Sequence, residues 1–62
     1  MKTKEEMIGE IMEEYREFCE QTANDCVAEG YPSRGSNYEL RIDQEWREYY
    51  LPTIEAIEEE YA

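Results

Sequence analysis

Apolar residues recur at steps of three and four through the first part of the chain: Ile8, Ile11, Met12, Tyr15, Phe18, Cys19, Thr22 and Cys26. At 100° per residue they fall on one stripe roughly 120° wide, the mark of an amphipathic helix. Thr3-Lys4-Glu5-Glu6 supplies its start, with a hydroxyl at the N-cap and a carboxylate three residues on. Gly30 is placed to end the helix in left-handed geometry, and Pro32 cannot continue it. The spacing predicts a helix over 4–29, with Gly9 as its one weak interior residue.

Tyr31-Pro32-Ser33-Arg34-Gly35 is the one turn-rich stretch, short enough to reverse the chain. Ser36-Asn37-Tyr38-Glu39 then reads as a second capping box. Beyond it the apolar positions are Tyr38, Ile42, Trp46, Tyr49 and Tyr50, resuming after Pro52 with Ile54, Ile57 and Tyr61. A residue before proline is biased away from helical geometry, so either a kink or a break is expected after Leu51. Helices are therefore predicted over 37–50 and 52–61, with Pro52 at the first position of the third. No segment alternates with period two. The expected fold is a single all-α domain over 1–62, a small helical hairpin or three-helix arrangement. Two helices alone leave apolar surface bare, so the part after Pro52 is expected to fold back, or a second chain to cover it. Tyr15, Phe18, Trp46 and Tyr49 are the expected core. Tyr31, Tyr38 and Tyr50 lie near the loop or at stripe edges, where they fit either core or interface.

Charge changes this picture most. Asp and Glu number 17 against 6 Lys and Arg, giving a net charge of -11 with no histidine. Direct nucleic-acid binding requires cations that release phosphate counterions, so it is not expected. An anionic membrane surface is disfavoured for the same reason. The beginning, Met1 to Glu6, turns acidic before any apolar run, unlike a signal peptide, and no stretch nears the ~20 apolar residues of a membrane span. Cys19 and Cys26 on one helix would stand about 10 Å apart along its axis, too far for a disulfide. Free thiols suit a reducing compartment, and the expected location is the cytosol of a host cell.

Catalytic and cofactor chemistry finds little to work with. A zinc site needs about four Cys or His ligands, and two cysteines cannot supply one per chain. The calcium-loop pattern is absent, since Asp25 and Asp43 stand alone. A cysteine nucleophile would lack a histidine base, and Gly9, Gly30 and Gly35 are too scattered to cradle a phosphate. Neither an enzyme nor a bound metal or cofactor is expected.

What remains is the arrangement of the acids. Glu6, Glu10, Glu13, Glu17 and Glu20 lie opposite the apolar stripe at steps of four and three, with Cβ atoms about 5–6 Å apart. Glu14 flanks the row, and Arg16 is the one cation inside the helix. Glu45, Glu48, Glu55 and Glu59 are expected to turn away from Ile42, Trp46 and Tyr49 in the same manner. Like charges at this spacing cost a few tenths of a kcal/mol per pair, and interspersed lysines would have removed that cost. The plain reading is a solvated face of good helix formers. The sharper one is a rod of carboxylates spaced to occupy a cationic groove built for a nucleic-acid backbone.

With these residues in view, the chain resembles the small acidic inhibitors that bacteriophages and other mobile elements direct against host nucleic-acid enzymes. Many of those are DNA mimics of the anti-CRISPR or anti-restriction type. The resemblance covers the whole chain through size, charge and Glu rows, and rests on no specific motif. It implies a basic nucleic-acid-binding partner, a nuclease of a host defence system, with a CRISPR-Cas effector blocked where it reads its flanking motif. The partner-binding residues would be Glu6, Glu10, Glu13, Glu14, Glu17, Glu20, Glu45, Glu48, Tyr31 and Tyr38. Two other classes stay open. One is an antitoxin or small regulatory adaptor that neutralises a basic protein without mimicking DNA. The other is a homodimer that completes its thin core with a second copy.

Overall fold

A computed structural model describes residues 1–61. Every regular element among them is helical: α1 (Lys4–Ala28), α2 (Ser36–Glu45), a single wide π turn (Trp46–Tyr50) and α3 (Leu51–Glu60). The first boundary follows the local chemistry of the chain. The Thr3 hydroxyl accepts from the Glu6 N–H at 3.2 Å, the N-cap half of the capping box, and donates to the Glu6 carboxylate at 3.4 Å. At the far end Glu29 caps α1 and Gly30 takes φ 92°, the left-handed conformation that glycine adopts without strain. Tyr31 N–H reaches back to Cys26 O at 2.8 Å and Gly30 N–H to Val27 O at 3.0 Å, which satisfies the last carbonyls.

The second boundary departs from expectation. Gly35 occupies the N-cap in extended geometry, and no side chain caps the helix. Its carbonyl accepts the Glu39 N–H at 3.0 Å, so α2 begins one residue early and Ser36 falls inside the first turn. A serine there cannot reach the amide that a capping box needs. Glycine at 35 eases this entry beside Pro32: a Cβ there would sit 3.1 Å from the Pro32 Cβ, so the proline would have to shift by a few tenths of an ångström.

Of the kink or break expected at Pro52, the break does not occur. Leu51 keeps helical angles, φ -61° and ψ -50°, and α2, the π turn and α3 form one continuous arm from Ser36 to Glu60. A proline inside a regular α-helix removes one hydrogen bond and presses its ring on the carbonyl four residues back. Here the turn just before it is widened: Leu51 N–H donates to Trp46 O, five residues back, and Thr53 Oγ1 donates to Tyr49 O at 2.6 Å. The fold is therefore a hairpin of two long arms, with α3 continuing along α1 instead of folding back over the pair.

The same turn decides which aromatics meet. An extra residue in one turn rotates everything after it by about 100°. Tyr50 then takes the inward position, only 6% exposed, and Tyr49 is left 46% exposed, the reverse of the expected order. The Tyr50 ring lies edge-on to Tyr15 at 5.1 Å and to Tyr49 at 4.8 Å, and 5.9 Å from Phe18. Tyr15 also meets Trp46 at 4.9 Å. Nearer the hairpin turn the seam is closed by small residues, with Thr22, Ala23 and Cys26 buried. Arg41 clamps this end with a two-pronged pair to Glu29, at 2.9 and 3.0 Å. The remaining apolar stripe, from Ile8 to Phe18 and from Ile42 to Ile57, is only half-buried. Both thiols are free, Cys26 fully buried and Cys19 half-buried.

Gly9 is exposed, and nothing lies within 4 Å of where its Cβ would be. Gly9→Ala should therefore stabilise the hairpin by about 1 kcal/mol through helix propensity alone. Urea unfolding followed by far-UV circular dichroism measures it. A loss of stability would show that something packs against α1 at that point.

Candidate functional site

The row Glu6, Glu10, Glu13, Glu17 and Glu20 projects from the face that α1 turns away from α2 and α3, and Glu14 flanks it toward the seam, close enough for its charge to act on Tyr50. Glu6, Glu10, Glu13, Glu14, Glu17 and Glu20 are all exposed. From Glu6 to Glu20 the row runs about 21 Å along a continuous helix. Its first members are partly engaged within the chain. Glu6 accepts from the Thr3 hydroxyl, and Lys2 reaches across two turns to pair with Glu10 at 2.7 Å. Among the described residues no cation lies in ion-pair distance of Glu13, Glu14, Glu17 or Glu20, and the two other pairs, Arg41–Glu29 and Arg47–Asp43, belong elsewhere. These four form the part of the row left free for a partner.

The second carboxylate set is not brought to the same place. Glu48, Glu55 and Glu59 are exposed on the second arm. Because each arm packs its apolar side on the other, the two acidic faces point in opposite directions across a body of 43 × 18 × 11 Å. A flat partner surface meets one of them at a time. Glu45 differs from the expectation that it faces outward: it is half-buried at the flank of the seam, close enough for its charge to act on Tyr50. Its place follows from the helical repeat, since residue 45 lies only about 60° from Ile42.

The two tyrosines named with the row also separate. Tyr31 is 44% exposed in the turn, just beyond the Glu20 end of α1. Tyr38 is half-buried, with the Arg34 guanidinium 5.8 Å above its ring. It covers the seam beside Cys19 and offers a partner only one edge.

Burial raises the phenols of Tyr15, Tyr38 and Tyr50 above their ordinary value of 10.0, because the charged form is poorly solvated there. The Cys19 thiol adds to the shift at Tyr15 and Tyr38, and Glu14 and Glu45 add to it at Tyr50. A raised pKa in the folded state means the fold prefers the neutral phenol. This stabilisation is complete below the unfolded value and is lost as pH rises through the folded values. Helicity should hold to about pH 9 and fall above about pH 10, together with the tyrosinate absorbance. The part of the absorbance step belonging to Tyr15, Tyr38 and Tyr50, about half of the six tyrosines, should coincide with the helicity loss. Ionisation of all six before helicity changes would show that these rings are not part of the packed seam. Glu29 behaves oppositely: the hydrogen bonds and charge of Arg41 hold its carboxyl below the usual range.

One feature of this surface was not legible from the apolar stripe. An open groove of about 800 Å³ runs between the arms, floored by Met12, Tyr15, Ile42 and Trp46 and edged by Leu40, Glu39 and Asp43. Leu40 is out of phase with the stripe and 68% exposed, and a leucine in that position is the one sequence signal pointing to it. Among the described residues no three Cys, Asp or Glu side chains are placed to hold a metal ion, and no helix is long and apolar enough to cross a membrane. No protein-family model matches the chain, and no curated protein or solved structure is significantly similar to it.

Proposed function

We propose that the protein is an acidic helical inhibitor that occupies the cationic nucleic-acid groove of a host defence nuclease as a DNA mimic. A CRISPR-Cas effector, blocked at the site where it reads its flanking motif, is the target that the resemblance to phage inhibitors favours. The observation that carries the reading is the run Glu13, Glu14, Glu17 and Glu20, exposed and without ion-pair partners on a continuous 25-residue helix. An inhibitor of this kind gains its association rate from the long-range field of a net charge of -11. A phosphate backbone places a charge every ~3.4 Å per strand, and the row places one about every 5 Å, near enough to meet the same lysines and arginines.

Competition is the test. The protein should be titrated against a panel of CRISPR effectors and restriction nucleases loaded with labelled target duplex. A mimic displaces the duplex, and excess duplex displaces the mimic, in proportion to their affinities. Binding that persists unchanged under saturating duplex would identify an adaptor or antitoxin acting at another surface.

A further inference from the structure

The hairpin exposes 4730 Å², whereas a compact monomer of 7.5 kDa should expose about 4,200 Å². Some of the excess lies in the groove between the arms, whose floor is apolar and whose residues are at most half-buried. Leu40 stands at its outer lip. Along α2 the groove runs from Ser36 to Trp46, about 15 Å, or roughly three turns of a helix laid beside it. The charged side chains that line it are acidic, Glu39 and Asp43, and Asp43 already has Arg47 at 3.2 Å.

We infer that this groove docks an amphipathic, basic helix of a protein partner, with its apolar face on Trp46, Ile42 and Met12 and its cations at Glu39 and Asp43. An apolar stripe at i, i+3/i+4 and i+7 matches the floor, and lysine or arginine beside the stripe matches the rim. Charge decides against a second copy of this chain. Two molecules of net charge -11 would bring their acidic rims together across the same groove. The groove and the outer row of α1 lie on different faces, so the inference does not depend on DNA mimicry.

Trp46 is the only tryptophan and lines the groove, so its fluorescence reports occupancy. The probe is a 14-residue helical peptide with leucine at i, i+3/i+4 and i+7 and lysine elsewhere. Two controls accompany it: one keeps the lysines and replaces leucine by serine, the other keeps the leucines and replaces lysine by glutamate. The basic amphipathic peptide should shift Trp46 emission to the blue and saturate at micromolar concentration, and neither control should. Leu40→Gln, at an exposed position that leaves the core intact, should weaken binding at least tenfold, and Glu39→Gln severalfold. Reversal of the outer row should leave the shift in place, although duplex competition would be lost. Equal binding of the serine control would mean that only the general field attracts the peptide and would overturn the proposal. So would a stable dimer in sedimentation at micromolar concentration that Leu40→Gln dissociates, because the groove would then belong to a second copy.

Discussion

Changing Glu10, Glu13, Glu17 and Glu20 together to lysine should abolish inhibition of the target nuclease while leaving the hairpin folded. Each exposed charge contributes only about 0.2–1 kcal/mol, so single changes should be mild. Four reversals remove four attractions and add four repulsions, a loss on the order of 100-fold or more in affinity. Steering is lost before contact is made, so the on-rate should fall first, and the salt dependence of binding should flatten with it. The four positions are exposed and lysine is nearly as good a helix former as glutamate, so circular dichroism should hardly change. Four glutamines should give intermediate affinity. Reversing Glu48, Glu55 and Glu59 instead changes the net charge nearly as much on the opposite face, and should cost much less. If the α1 reversal folds and binds with unchanged affinity and salt dependence, the row is solvated surface. The contact then moves to Tyr31, Tyr38 and the face carrying Glu45, Glu48 and Glu55.

Tyr50→Ala should be the most damaging single substitution for stability. Its ring is the one large aromatic buried in the seam, with Tyr15, Phe18 and Tyr49 all packed on it. Truncating a buried aromatic ring costs about 3–5 kcal/mol. A chain of this length has about 3–9 kcal/mol in total, so the variant should lose on the order of half of its stability or more. Tyr50→Phe keeps the ring contacts and should stay within about 1 kcal/mol of the parent. Tyr49→Ala, at the exposed neighbour, should cost less than half as much as Tyr50→Ala. Chemical denaturation of the three variants decides the register. A larger loss at Tyr49 than at Tyr50 would place the π turn elsewhere, or remove it.

That register marks how far local pattern carries in this chain. Tyr38, Ile42, Trp46, Tyr50 and Ile54 recur every fourth residue. At 100° per residue each such step drifts by about 40°, which a regular helix cannot hold against one neighbour for long. One wide turn restores the phase and also accommodates Pro52. The run of fours was present in the sequence, but proline was the stronger local signal and pointed to a kink or a break. Leu40 shows a similar limit. Its misfit with the stripe is visible in sequence, yet a groove requires two arms, and only their packing creates it.

The sequence by itself determined the all-helical character, the α1 cap at Thr3, the left-handed exit at Gly30 and the exposed row on the outer face of α1. Those features depend on neighbours within about four residues, where backbone hydrogen bonds and the helical repeat act. Tertiary structure alone decided that the second arm runs through Pro52, that Tyr50 and not Tyr49 enters the seam, and that the two acidic faces point apart. Each of these depends on what α1 presents to the second arm. Burying Ile54 and Ile57 against α1 outweighs the local preference of Leu51-Pro52 for a break, because apolar contact across the hairpin favours one unbroken arm.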